Sequence, residues 1–267
     1  MIRQTHPLSK ETGDPTLDCH RGAIVRVIET MRSHLEEPLS LQKMAKVALL
    51  SPFHFNRTFR RMTGIPPVQF LYALRLEMAQ KLLLSTHRQV LDVCYDVGYE
   101  SPGTFTRRFT ELVGVSPTQL RSLPVPQSPV GTADEDGDQN RRNLAESGRV
   151  TGTVSASPDF SGSIFVGLFE QPIPQRRPVA CAVLAQPGIF RMDEAPDGDY
   201  YLFALGLADH PSEWLRQDSP LRAGGGLISI EKGCVAGNTD LTLRSPSPLD
   251  PPILASIPAL LQQATPT

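Results

Sequence analysis

From Arg21 the apolar residues Ala23, Ile24, Val27, Ile28, Met31 and Leu35 recur at steps of three and four, which predicts an amphipathic helix with one buried face. Residues 1–20 are polar and unpatterned and are expected to form a loose tail. Helical periodicity continues to Leu123. It predicts short helices over Leu41–Leu49, with Met44, Ala45 and Ala48 inward, and over Val90–Val97, with Val93 and Cys94 inward. A longer helix is expected from about Pro67 to Thr86, with the stripe Phe70, Leu74, Met78 and Leu82. From Pro124 the text turns to Pro, Gly and acidic residues, the composition of a linker over 124–148. The period then becomes two. Short runs such as VTGTVSA, SIFVGLFE, PVACAVLA, GIFRM and YYLFALGL, separated by turn formers, predict a small β-sandwich over 149–244. Residues 245–267 read as a proline-rich tail, in which Ile253 to Leu261 is a candidate short docked helix. The expected fold class is multidomain α plus β, an all-α domain over 21–123 followed by a small all-β sandwich.

The helical segment repeats itself. Laid on itself at an offset of fifty, SPFHFNRTFRRMTGIPPVQF from Ser51 matches SPGTFTRRFTELVGVSPTQL from Ser101 at eight of twenty positions. Ser-Pro at the start of each copy is an N-cap followed by proline at the first helical position, where no amide partner is lost. Phe55 and Phe59, with Phe105 and Phe109 in the second copy, share one face, and Gly64 and Gly114 stand where a left-handed C-cap would end the helix. In each copy a shorter amphipathic helix precedes the capped one, the order of a helix-turn-helix. The turn of the second copy contains Gly98; at the same offset the first has Ala48.

Opposite the apolar stripe of the first capped helix lie Phe53, Asn56, Arg57 and Arg60, with His54 in the same turn. The matching face of the second carries Gly103, Thr106, Arg107 and Thr110, with Thr104 beside it. A helix fits the major groove of B-form DNA, where Arg pairs bidentately with guanine, Asn with adenine, and a Thr methyl meets thymine. Arg61 and Arg108, on the flanks, are candidates for phosphate contact. One such face alone would pass as solvated surface; the same arginine at the same place in two copies argues for readout.

Charge supports that direction. The chain is nearly neutral, with 26 Lys and Arg against 28 Asp and Glu, yet residues 21–123 hold 14 basic and 8 acidic side chains. A basic segment beside an acidic remainder suggests a polyanion-binding module joined to something else.

On these residues the segment 21–123 resembles the AraC/XylS family DNA-binding domain. The resemblance is carried by SPFHFNRTF, the connector FLYALRLEMAQKLLLST and the string VGYESPGTFTRRFTELVGVSPTQLR. It implies seven helices, two helix-turn-helix units joined by a long helix, and base-contacting positions at Phe53, Asn56, Arg57, Gly103, Thr104 and Arg107. Gly103 departs from the pattern, since glycine offers a base no side chain. The resemblance also implies double-stranded DNA as partner and a sequence-specific regulator of transcription, with RNA polymerase an expected further partner. The family usually places this domain after a sensor; here it comes first.

For the β segment, Gly188, Phe190, Pro196, Gly198 and Tyr200 match a turn and strand of transthyretin-like or carboxypeptidase-regulatory-like sandwiches, and the segment is similar to them on that ground. It is expected to regulate or dimerise, through a small-molecule effector or a second copy, and a fragment ending near Leu123 is expected to fold and bind the same DNA motif. The competing classes are an enzyme with a DNA-binding appendage and an architectural DNA-bending protein. Cys181, within PVACAVL, lacks an adjacent group to stabilise a thiolate. No catalytic set, cofactor motif or metal-ligand spacing stands out, so a non-enzyme is expected. The four cysteines are expected to be reduced core residues. No apolar run suggests a signal peptide or membrane span, so the expected site of action is the cytoplasm.

Overall fold

The computed structural model describes residues 15–123, 148–207 and 220–256. The expected linker lies outside them except for Gly148, as do 1–14 and 257–267 of the two expected tails. The helices are α1 (Pro15–Ser33), α2 (Leu41–Val47), α3 (Pro52–Thr63), α4 (Pro67–Ser85), α5 (Val90–Asp96), α6 (Pro102–Val113) and α7 (Pro117–Ser122). Helix α1 begins inside the stretch read as a tail. A proline at its first position and Asp18 in its first turn favour a helix start there. Its expected stripe, from Ala23 through Ile28 to Leu35, is buried.

Helix α4 departs from its expected single stripe. Met78 is 37% exposed and Leu82 is half-buried, while Leu71, Ala73, Leu76, Ala79 and Leu83 are buried together with Phe70 and Leu74. A helix packed on several sides has no one apolar face, and α4 is held by both helix pairs and by the β unit. Phe59 meets Phe70 edge-on at 5.3 Å, and Tyr72 lies 6.1 Å from Tyr99 at the base of the second unit.

The strands are β1 (Gly148–Ser155), β2 (Ser163–Phe169), β3 (Ala180–Leu184), β4 (Gly188–Ala195), β5 (Gly198–Leu207), β6 (Leu221–Glu231), β7 (Cys234–Ala236) and β8 (Leu241–Thr242). They form a three-stranded sheet of order β4-β1-β8 and a five-stranded sheet of order β3-β2-β5-β6-β7. All pairs are antiparallel except β1 with β8. Val150, Val154, Phe190 and Met192 from the smaller sheet meet Ile164, Val166, Leu202 and Ile228 from the larger in one core. Strand β2 is buried at every residue rather than at alternate ones. Its second face, with Phe165 and Phe169, packs on Phe203, Leu207 and Ala255, so the larger sheet is covered on both sides.

The two units share buried contacts. Ile173, from the β2–β3 loop, and Leu254 belong to the helical core. Residues 251–256 contain no helix; Leu254 and Ala255 donate their amides to the carbonyl of Pro174 at 2.8 Å, and Ile253 to Ser256 are buried. Gln80 of α4 donates to the carbonyls of Ile253 and Leu254, at 3.5 and 3.1 Å, and Glu77 accepts from the Ile253 amide at 3.3 Å.

Cysteines depart from expectation. Only Cys94 is buried, with its thiol against the carbonyl of Tyr99 at 3.7 Å; Cys19, Cys181 and Cys234 are exposed. Cys181 lies on the edge strand β3, where side chains reach the surface.

Candidate nucleic-acid interface

Helices α3 and α6 are built alike. Ser51 accepts from the His54 amide and Ser101 from the Thr104 amide, each with proline at the helix start. Each helix ends on a glycine with φ near the left-handed region, Gly64 at 82° and Gly114 at 92°. Phe55, Phe59, Phe105 and Phe109 are buried, which turns the opposite face outward.

That face carries most of the expected residues. Phe53 is 80% exposed, a large ring standing free at the first turn of α3, and Asn56, Arg57, Arg60 and Arg61 are exposed along the same helix. On α6, Gly103, Thr104, Thr106 and Arg107 are exposed, and Thr110 extends the row. Pro102, Gly103, Thr106, Arg107, Thr110 and Glu111 together line a shallow, open surface. Arg57 and Arg107 therefore occupy the same position on two equivalent helices, and both reach solvent.

Two expected residues point elsewhere. His54 is half-buried and meets His20 of α1 edge-on at 5.2 Å. Arg108 is half-buried, with its guanidinium over the Tyr72 ring at 4.4 Å. The burial pushes the Tyr99 hydroxyl up, while the Arg108 and Arg75 cations beside it oppose the shift. Of the expected cations that stay exposed, Arg57, Arg60 and Arg61 lie on α3 and Arg107 on α6, where Glu111 also pairs with Arg176 at 3.1 Å.

The connecting turns differ by one residue. In the first unit Leu49 donates to Lys46 and Leu50 to Ala45; in the second Gly98 donates to Tyr95 and Tyr99 to Cys94. These paired bonds make Leu49 the equivalent of Gly98, in place of Ala48, which is right-handed at φ −75°. Leu49 has φ 58° and Gly98 φ 80°. Glu100 is then an extra residue before Ser101. A fixed offset of fifty conceals this shift, because the preceding helices α2 and α5 stand forty-nine apart.

Tyr72 and Arg75 were not among the expected residues, although polar side chains inside the apolar connector were the available signal. Arg75 is 7% exposed and donates to the carbonyls of Gly98 and Glu37, at 2.9 and 2.8 Å. Burial pushes its guanidinium below the ordinary arginine value, against the pull of Tyr72, Tyr99, Glu100 and Glu36. Tyr72, Tyr95, Thr104 and Arg108 line a cleft between the two units, so the connector side chains also shape the surface between the readers.

No group of three or more His, Cys, Asp or Glu that could hold a metal was found among the described residues. No helix among them is long and apolar enough to cross a membrane. Although Cys181 is exposed, partial desolvation by the surrounding strands pushes its thiol up, the direction opposite to that of a reactive thiolate.

Residues 44–122 match a family model described as a helix-turn-helix domain. The chain is similar to the MmsAB operon regulatory protein of Pseudomonas aeruginosa, 37% identical over 91 residues, covering 34% of this chain and 30% of that protein. It is also similar to the HTH-type transcriptional regulator GlxA of Rhizobium meliloti, 32% identical over 99 residues, covering 37% and 31% respectively. A solved structure of the DNA-binding domain of AdpA, a global transcriptional factor in complex with a target DNA, is 31% identical and has a TM-score of 0.36, covering 37% of this chain and 89% of that one. The chain spans about a third of the length of these curated relatives.

Proposed function

We propose that this chain, whose residues 44–122 match a helix-turn-helix family model, carries an AraC-type DNA-binding domain and is a sequence-specific regulator of transcription that inserts α3 and α6 into successive major grooves of one DNA site. The observation that carries this reading is the pair Arg57 and Arg107. They are exposed at the same position of two helices that share N-cap, buried phenylalanines and left-handed C-cap. Base contacts come from Phe53, Asn56 and Arg57 on α3 and from Thr104, Thr106 and Arg107 on α6, with Gly103 allowing close backbone approach. Arg60 and Arg61 supply phosphate contacts that position the first reader. The β unit is the regulatory or dimer-forming module, the chain acts without catalysis in the cytoplasm, and RNA polymerase is its further partner.

In vitro site selection with the intact chain tests the reading. A reproducible two-part motif is the expected result. Binding that does not distinguish selected from random DNA would support the architectural alternative and contradict a specific regulator.

A further inference from the structure

Between the helical and β units lies a cavity of about 300 Å³, within the size range of small-molecule sites. Three parts of the chain enclose it. Met62 and Gly64 come from the end of α3, Phe203 and Leu205 from β5, and Leu249 and Ile253 from the C-terminal segment. These surfaces are mixed, with Arg222 lining one wall and the Arg244–Asp250 ion pair also on the lining.

Arg222 is under-compensated. Its Nη1 donates to the carbonyl of Pro251 at 3.1 Å, whereas its buried Nε has no hydrogen-bond partner. Among the described residues no carboxylate forms an ion pair with it. The nearby carboxylates are already engaged. Asp250 is held by Arg244 at 2.7 Å and by the Ser247 amide, and Glu77 by Arg32 at 3.8 Å and the Ile253 amide. Burial lowers the Arg222 pKa, against the pull of Glu77 and Asp250. A partly buried cation that lacks a carboxylate partner gains from an anion delivered beside it.

The space is made by a bulge. Register shifts between Leu202 and Phe203 leave Gly225 as the extra residue opposite them, at φ 88°. A Cβ on Gly224 would stand 2.1 Å from the Leu202 carbonyl, so a side chain there would not fit. At Gly225 only Phe203 lies within 4 Å, and the absent side chain leaves that part of the cavity open.

We propose that this cavity binds a small organic monocarboxylate, its carboxylate on Arg222 and its apolar body against Phe203, Leu205, Met62 and Leu249. Because the floor is the C-terminal end of α3, and Arg222 also holds the segment that Gln80 and Glu77 anchor to α4, occupancy shifts the position of the first reading helix. Only that last consequence rests on the DNA-binding reading.

The test uses the full chain, titrated calorimetrically with octanoate and 3-phenylpropionate, and with octanamide as the uncharged control. Saturable binding of at least one acid, one per chain, is expected, with octanamide at least tenfold weaker than octanoate if that acid binds. Arg222→Gln should weaken acid binding at least tenfold, and Leu249→Trp, which fills the cavity, should abolish it. Circular dichroism melts establish that each variant is folded. Equal binding of octanoate and octanamide, binding of neither acid at 10 mM, or wild-type affinity in both folded variants would overturn the site. A second arm measures affinity for the selected DNA with and without saturating acid. A change of threefold or more is expected; no change with the acid bound would overturn the coupling. Failure to select any DNA motif would contradict the regulator reading and leave the ligand titration intact.

Discussion

The guanidinium of Arg75 donates to the carbonyl oxygen of Gly98 at 2.9 Å, and through its other terminal nitrogen to that of Glu37 at 2.8 Å. One buried side chain of the connector thus ties the turn of the second helix-turn-helix to the loop that precedes the first. Arg75→Met should leave both carbonyls unsatisfied and destabilise the chain by about 2–4 kcal/mol, read from urea denaturation. Arg75→Lys should not restore stability, because a single ammonium lacks the planar fork that reaches both carbonyls. Full stability in the lysine variant would show that charge alone suffices.

The two turns predict opposite outcomes for mirrored substitutions. A Cβ at Gly98 would stand 2.4 Å from the Leu35 carbonyl and 2.9 Å from the Arg75 guanidinium carbon, in a left-handed conformation. Gly98→Ala should therefore cost more than about 2 kcal/mol. Leu49 is left-handed too, but 84% exposed. Leu49→Gly relieves that strain with little packing lost and should be neutral or stabilising by up to about 1 kcal/mol. Thermal melts of both variants check the pair.

On DNA, Arg57→Ala and Arg107→Ala should each relax the preference at one or two base pairs, costing about 1–3 kcal/mol for a lost bidentate contact. Arg61→Gln should reduce the salt slope of binding by about one. Arg108→Gln should act differently, because its guanidinium stacks on Tyr72. About 0.5–2 kcal/mol of stability should be lost there, before any change in that slope. Salt titrations with the selected site separate the two arginines, and a slope change for Arg108 with unaltered stability would return it to the DNA interface.

The shared core changes the expectation for a fragment ending at Leu123. Such a fragment loses the buried side chains of Ile173 and Leu254, each worth about 1.5–3 kcal/mol of burial, and exposes the apolar surface they cover. It should melt at lower temperature than the intact chain. Leu254→Ala in the intact chain should cost about 2–5 kcal/mol, whereas a wild-type melting temperature in that variant would show that the two units dock without mutual support.

What was legible in the text follows from locality. The caps Ser51, Ser101, Gly64 and Gly114 and the buried phenylalanines are set by neighbours three or four residues away, and the structure has them where the spacing puts them. The first five strands follow from their alternation or apolar runs. Strand β6 was not picked out because three consecutive glycines, Gly224 to Gly226, interrupt its pattern; they serve a bulge visible only against β5. His54 and Arg108 stand on the flanks of their helices, where His20 and Tyr72 from other helices occupy their sides. The run from Ile253 suggests docking, but its partners Gln80 and Pro174 lie far away in sequence, and nothing local signals them or the non-helical backbone of 251–256.

The central claim is that both helices read one site at a fixed separation. Helix α4 has 19 residues, about 28 Å at roughly 1.5 Å per residue, near the roughly 34 Å between major grooves on one face of the duplex. Arg75 and Tyr72 fasten that connector to the second unit, and the shared core packs on it. The most direct measurement compares the affinity of the intact chain for its selected site with that for the same site carrying about five extra base pairs between the half-elements, which turn the second groove to the far side. Binding should fall to that of a single half-element, and equal affinity for the two sites would contradict the account.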